Sequence, residues 1–406
     1  MSDSSDPASA RVPHAAALYL GVVQFLFVTC WTIYVIFLPG LLESAGIPRR
    51  YAIWILMLDQ LVFMVMDTLM GIAADRSARM LGRIAPLILT GTAVSCVAFM
   101  LVPHVALLGA AAPALSLALI LIWAATSSAL RAPPFVMFSK YAAAPALPWM
   151  NALVLTGLAI GGALAPYLGV TLRHLDPRLP FAVSSVALLA ATAGLIWVER
   201  RLAGQPGAVA PAPSRTGLPS NAWFFGLACL MLALGFQIHF SLNSAGQYLR
   251  FAPQERLDYL MPVFWIGFNL AMFPGAALAR HFGTVRVVAV AAALGTAGEF
   301  VAAQAPSLEM LIGAQLAAGG AWGCVLMAGF AAAVEFGRSG REGWALGLLF
   351  AALAAATLAR MGAVVAGLNQ AREFAAVLAV APVVLWCAAT ALLAWLALRT
   401  PPRAPV

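Results

Sequence analysis

The chain is a succession of apolar blocks separated by short polar breaks. Roughly 20 consecutive apolar residues are needed for a helix to cross the hydrocarbon core of a bilayer. Twelve blocks are long enough: residues 15–38, 51–73, 84–103, 114–138, 149–170, 179–198, 221–244, 257–279, 286–303, 308–334, 343–367 and 374–398. Runs such as Val287 to Leu294 and Leu348 to Ala356 are apolar on every side, whereas the strands of a membrane barrel alternate apolar and polar residues. The blocks are therefore predicted to be helices. Met1 to Pro13 is polar, and the block after it is too long for the core of a cleaved signal peptide. It is expected to stay as the first span.

Composition sharpens this picture. Of 406 residues, 63% are hydrophobic and 9% are charged, and the mean hydropathy is +0.93; soluble domains carry about a quarter charged residues. Soluble enzymes, nucleic-acid binders and disordered scaffolds are excluded. The net charge of +8 includes no basic run, so the expected partners are the lipid bilayer and a small-molecule solute, with no nucleic acid. With both termini inside, fourteen basic residues fall on the inner side and seven on the outer, while Arg131 and Arg360 remain within spans. That is the bias of the positive-inside rule. The fold class predicted is all-α integral membrane, twelve helices, N-in and C-in.

The longest polar connection, Glu199 to Asn221, follows the sixth span. It divides the chain into a tail (1–14), a six-helix bundle (15–198), a central linker (199–220), a second six-helix bundle (221–398) and a C-terminal tail (399–406). An internal echo supports the division. Gly71 is followed by Arg76 after the second span, and Gly275 by Arg280 after the eighth, the two glycines lying 204 residues apart.

The loop after span two reads Asp67-Thr-Leu-Met-Gly71, Asp75-Arg76, Arg79, Gly82-Arg83, Pro86 and Ile88-Leu89-Thr-Gly91. It resembles the loop signature of the major facilitator superfamily, and over about 25 residues that of the glycoside-pentoside-hexuronide:cation symporters. Pro134-Phe135 in span four matches a Pro-Phe pair of the same branch. The resemblance implies a secondary transporter working by alternating access as a monomer, with spans one, four, seven and ten lining a central cavity. Read physically, Gly71 permits close helix approach, Asp75 can accept backbone amides at a helix start, and Arg76, Arg79 and Arg83 face the anionic leaflet. With Gly82 and Arg280 these residues form a candidate gating loop, either a latch between the halves or a set of topology signals.

An ionisable group at the centre of a span costs roughly 2.5–3.5 kcal/mol on insertion scales, so the few present become candidates: Asp59, Asp67, Arg131, His239, Glu299 and Arg360. Asp59 lies about 12 Å into span two at 1.5 Å per residue, and Asp67 sits eight residues on, on nearly the same face. A carboxyl group there can alternate between protonated and ionised forms or help ligate sodium. The resemblance implies a cation-coupling role for Asp67; the second acid of that branch's site is Phe63 here, so a proton, or no coupling ion at all, is expected ahead of sodium, with no other cofactor. Asp67 could instead pair with Arg76 or cap a helix terminus.

Arg131 precedes Pro133-Pro134, where a kink frees backbone groups. A guanidinium in the cavity would suit a carboxylate or phosphate, and because the sugar-carrying relatives of this resemblance tend to place an acid near this site, the resemblance implies an anionic or zwitterionic solute over a neutral sugar; the alternatives are an internal pair with Asp59 or Asp67, or a position nearer the inner surface. Further cavity candidates are Gln24, Trp31 and Tyr34 on span one, Gln237, His239 and Asn243 on span seven, and Gln315 and Trp322 on span ten. Helix packing is the competing role for each. Arg360 and Glu299 are expected to form a structural pair.

The expected function is import of a small polar or anionic organic solute with a proton. An exporter is the alternative, because Gly157, Gly161, Gly162, Pro166 and Gly169 in span five loosely resemble the glycine-rich helix of drug exporters. Copper import through Met66 and Met70 and an intramembrane enzyme rank lower. Gly337-Arg-Ser339-Gly340 lies in a charged loop, the five cysteines form no Cys-x-x-Cys, the histidines form no His-Glu-x-x-His, and the single lysine, Lys140, belongs to no Walker loop. Neither an enzyme nor a metal site is expected. The 22 arginines against one lysine suggest a GC-rich genome and a bacterial inner membrane.

Overall fold

The computed structural model describes residues 14–80, 83–141, 144–203, 218–338 and 340–399. The first half contains α1 (His14–Ser44), α2 (Ala52–Met80), α3 (Ala85–Leu101), α4 (Ala112–Ser127), α5 (Ala132–Tyr141), α6 (Leu147–Leu172), α7 (Arg178–Ala193) and α8 (Leu195–Ala203). The second contains α9 (Ser220–Ile238), α10 (Ser244–Tyr248), α11 (Leu257–Leu260), α12 (Pro262–Phe282), α13 (Thr284–Gln304), α14 (Leu308–Gly337), α15 (Glu342–Val365) and α16 (Arg372–Arg399). Among the described residues, eleven helical runs are long and apolar enough to cross a membrane. The longest, Ala85–Lys140, is not one rod. Gly109 adopts φ 56° and ψ −123°, a conformation closed to residues with a Cβ, and α3 and α4 pack against each other on either side of it.

The helices are inside out relative to a soluble protein. On α2, Leu58, Leu61, Val65 and Leu69 are exposed while Asp59, Phe63 and Asp67 are buried. Apolar residues outside and acids inside suit a hydrocarbon surround. At the end carrying the loops after α2 and α14, Arg201 lies over Trp197, Arg341 over Trp344 and Arg399 over Trp395, at 4.2, 5.3 and 4.1 Å from the ring centroids. Such pairs are suited to a membrane–water interface.

Three elements depart from the expected uniform spans. Span four breaks into α4, a tight 3₁₀ turn at Ser128–Leu130, and α5, because Pro133 and Pro134 cannot donate to the carbonyls four residues earlier. Span seven passes through a π-helical turn at His239–Asn243 before α10. Helix α8 runs on to Ala203, beyond the expected boundary at 198, and Glu199 accepts the amides of Ile84 and Ala85 at 2.6 and 2.9 Å, tying this end to the start of α3.

The halves meet through α2 against α15 and α6 against α12. At the first crossing a Cβ on Gly71 or Gly343 would collide with the other's carbonyl oxygen, and one on Gly347 with that of Asp67. At the second, Trp149 meets Phe273 at 5.5 Å, and beside it Tyr167 meets Tyr259 of α11 at 5.9 Å. Gly275 does not repeat the role of Gly71; it packs within its own half against Cys324.

Candidate functional site

The buried face of α2 carries Asp59, Phe63 and Asp67 at successive turns. Asp59 accepts a hydrogen bond from the Tyr34 hydroxyl at 2.7 Å, and its Oδ1 has no hydrogen-bond partner. Around this pair stand aromatic walls: Tyr34 lies 4.4 Å from Trp123, and Trp31 stacks on Trp123 at 5.5 Å and leans on Phe63 at 5.5 Å. Trp31, Tyr34 and Asp59 are thus brought together as one cluster.

One turn on, Arg131 Nε stands 3.0 Å from Asp67 Oδ2. Asp67 is fully buried, while the Arg131 side chain retains 17% of its exposure. Of the two readings open in the sequence, this is the internal pair, made with Asp67 and not Asp59; Arg76 is exposed and takes no part. The guanidinium lies over Phe63 at 4.6 Å and over Phe350 of the other half at 5.3 Å. Phe63, an apparent loss of a carboxylate, is therefore a cation–π platform for Arg131. The broken helix makes this possible, because Arg131 sits at φ −97° and ψ −83°, outside the helical range, between the 3₁₀ turn and α5.

Gln24 has a different task from the one expected. Pro134 leaves the carbonyl of Leu130 without its helical donor, and Gln24 Nε2 donates to it at 2.6 Å. Replacing Gln24 by leucine strands that carbonyl and is expected to lower unfolding free energy by about 1–3 kcal/mol, measured by denaturant titration in mixed micelles. A change below about 0.5 kcal/mol would show that Leu130 has no need of this donor. Asn243 repeats the device: it donates at 2.8 Å to the carbonyl of Leu378, four residues before Pro382.

In the second half His239 meets Gln315 at 3.0 Å, and Gln315 Nε2 donates to Ser244 at 3.1 Å and to Gln247 at 2.9 Å. Gln237 belongs to a separate cluster, donating to Thr357 at 3.0 Å and accepting from Arg360 at 3.4 Å. Trp322 is buried and stacks on Phe236 at 4.5 Å. The expected Arg360–Glu299 pair is not present among the described residues: α15 packs on α2 and α9, whereas α13 packs on α14 and α16. Glu299 is buried, with its Oε2 unpartnered.

At the basic end Asp75 accepts the amides of Gly343 at 2.7 Å and Trp344 at 3.0 Å, capping α15 of the opposite half. Arg79 donates to the carbonyl of Gly340 at 2.7 Å. Arg76, Arg83 and Arg280 are exposed; Gly82 lies outside the described residues. Phe135 of α5 closes on Phe330 at 4.7 Å and on Phe350 at 5.9 Å, and Asn151 donates to the carbonyl of Met327 at 3.1 Å, both across the halves. No comparable packing joins α1 to α9. Sequence reading missed Phe350, Thr357, Ser244, Gln247, Gly343 and Gly347; the last two form a Gly-x-x-x-Gly spacing that signals a close crossing.

No three His, Cys, Asp or Glu side chains gather into a metal-binding group among the described residues. No family model matches the sequence, and no curated protein matches it. The fold is found in solved structures. A bacterial homologue of the iron transporter ferroportin in an outward-facing state superposes with a TM-score of 0.70 at 13% identity, covering 94% of this chain and 99% of that one. The human organic anion transporter MFSD10 gives 0.68 at 17% identity, covering 95% and 99%. The E. coli fucose:proton symporter FucP gives 0.65 at 13% identity, covering 95% and 98%; a further structure of FucP is described as a major facilitator superfamily transporter in the outward conformation. At these identities the likeness is one of fold: a multi-pass, all-helical membrane protein with the major facilitator architecture.

Proposed function

We propose that the protein is a secondary transporter, not an enzyme, that alternates its two halves around a midplane site and imports a small anionic or polar organic solute with a proton. The observation that carries this reading is the Arg131–Asp67 pair, 3.0 Å apart and held between an aromatic ring of each half. Either charge alone is costly in hydrocarbon. A solute carboxylate that takes Arg131 removes the counter-charge of Asp67, and a proton then takes its place; release of the solute re-forms the pair and returns the proton. Phe63, where a second acid would serve sodium, supports the proton as the coupling ion. Organic anions and fucose with protons, carried by two proteins of the same fold, are consistent with this class of cargo.

The reading counts Ala85–Lys140 as two spans, giving twelve, and places both termini and the basic end inside a bacterial inner membrane. The arginine bias and the Arg–Trp pairs support that orientation. Closed at the basic end by Asp75, Arg79 and the three phenylalanines, the molecule is then outward-facing. Proteoliposome uptake tests the whole scheme with a panel of sugars, carboxylates and amino acids. An inward proton gradient should drive accumulation of an anionic member, a sodium gradient should not, and Arg131→Lys should slow uptake at least tenfold because Lys is a point charge without the bidentate fork. Unchanged uptake by Arg131→Lys would sink the reading, and accumulation driven only by an outward proton gradient would establish the exporter.

A further inference from the structure

Arg360 is the second guanidinium inside a span, and among the described residues it differs from Arg131 in having no carboxylate beside it. Its Nε donates to Gln237 Oε1 at 3.4 Å, at the long end of hydrogen bonding, and its two terminal nitrogens make no hydrogen bond among the described residues. Gln237 Oε1 also accepts from Ser241 at 3.4 Å, and Gln237 Nε2 donates to Thr357 at 3.0 Å. Thr357 and Arg360 are one turn apart on α15, and Gln237 and Ser241 face them from the stretch of span seven that enters the π turn. π turns interrupt regular helices at functional sites more often than elsewhere. The result is a half-buried cationic fork, set among neutral hydroxyl and amide groups, with no counter-charge among the described residues.

From this, and resting on the proposed transport of an anionic solute, we infer that Arg360 with Gln237, Ser241 and Thr357 forms a carboxylate-binding subsite in the second half. The ligand is a small organic monocarboxylate whose two oxygens meet the two terminal nitrogens of Arg360. Arg360 lies ten residues beyond Phe350 on α15, about 15 Å along the helix, on the side away from the Asp75 end. Of the two guanidiniums inside spans, it is the one an incoming anion meets first in the outward-facing state. Arg131, already held in its ion pair with Asp67, becomes available only when that pair opens.

The test is ligand binding to the full-length protein in nanodiscs, read by tryptophan fluorescence and thermal shift, with lactate and benzoate against lactamide and benzamide. The wild-type protein should prefer each acid over its amide at least tenfold. Arg360→Gln should remove that preference, and Arg360→Lys should weaken acid binding while keeping some of it. Gln237→Glu places a carboxylate beside Arg360 and should abolish acid binding while raising the melting temperature. A folded Arg360→Gln that still prefers the acids overturns the subsite; should that variant not fold, retained acid binding by Gln237→Glu overturns it. A wild-type protein without acid preference does so as well. Acid binding lost in Gln237→Glu, with no uptake by the wild type, supports the subsite and defeats the transport reading; gradient-driven uptake that Gln237→Glu leaves unchanged does the opposite.

Discussion

Cutting Arg131 back to alanine is expected to cost about 3–5 kcal/mol of unfolding free energy, the usual loss when one partner of a buried ion pair is removed and the other is left uncompensated. Asp67 is fully buried, with Arg131 Nε as its close cationic neighbour. The same change removes a cation from between the rings of Phe63 and Phe350. Adding Asp67→Asn to Arg131→Ala should recover a large part of the loss, since a neutral amide is far less costly to leave in hydrocarbon than a carboxylate. Denaturant unfolding in mixed micelles reads both variants. A loss under about 1 kcal/mol, or no recovery in the double variant, would mean that Asp67 has another source of compensation.

The second large effect is expected at the crossing of α2 and α15. Asp75 supplies both of its oxygens to backbone amides of the opposite half, and hydrogen bonds to a charged group contribute about 1.5–3 kcal/mol each. Asp75→Ala should shift the balance between closed and open basic ends by on the order of a hundredfold. Gly71→Leu should do the same by a different route, because any side chain there meets the carbonyl of Gly343. Spin labels at Arg76 and Arg338, both exposed and on opposite halves, report the separation. Distance distributions that match the parent protein in both variants would remove the latch from the mechanism.

Much of the architecture was legible because hydrocarbon imposes a simple rule, a long apolar block for each crossing. The eight-residue spacing of Asp59 and Asp67 placed them correctly on one buried face. Partners across the halves were a different matter. Phe350, Gly343 and Gly347 meet residues more than 200 positions earlier, and a phenylalanine in an apolar block carries no mark of the cation it will face. Glu299 and Arg360 were matched by charge alone, and their helices pack chiefly on different partners, α13 on α14 and α16 and α15 on α2 and α9. Gln24 and Asn243 had a readable signal that was overlooked: each serves a carbonyl four residues before a proline.

Phe135, Phe330 and Phe350 are almost wholly buried, and their rings converge just on the basic side of Arg131. A constriction lined by three benzene rings offers no acceptor to a chain of waters, so protons cannot hop through it. Under the proton-coupled cycle proposed above, such a plug would bar a short circuit of the ion gradient while the solute exchanges with the opposite side. In that cycle stoichiometry would be protected by dryness, with no need for a charged gate at that depth.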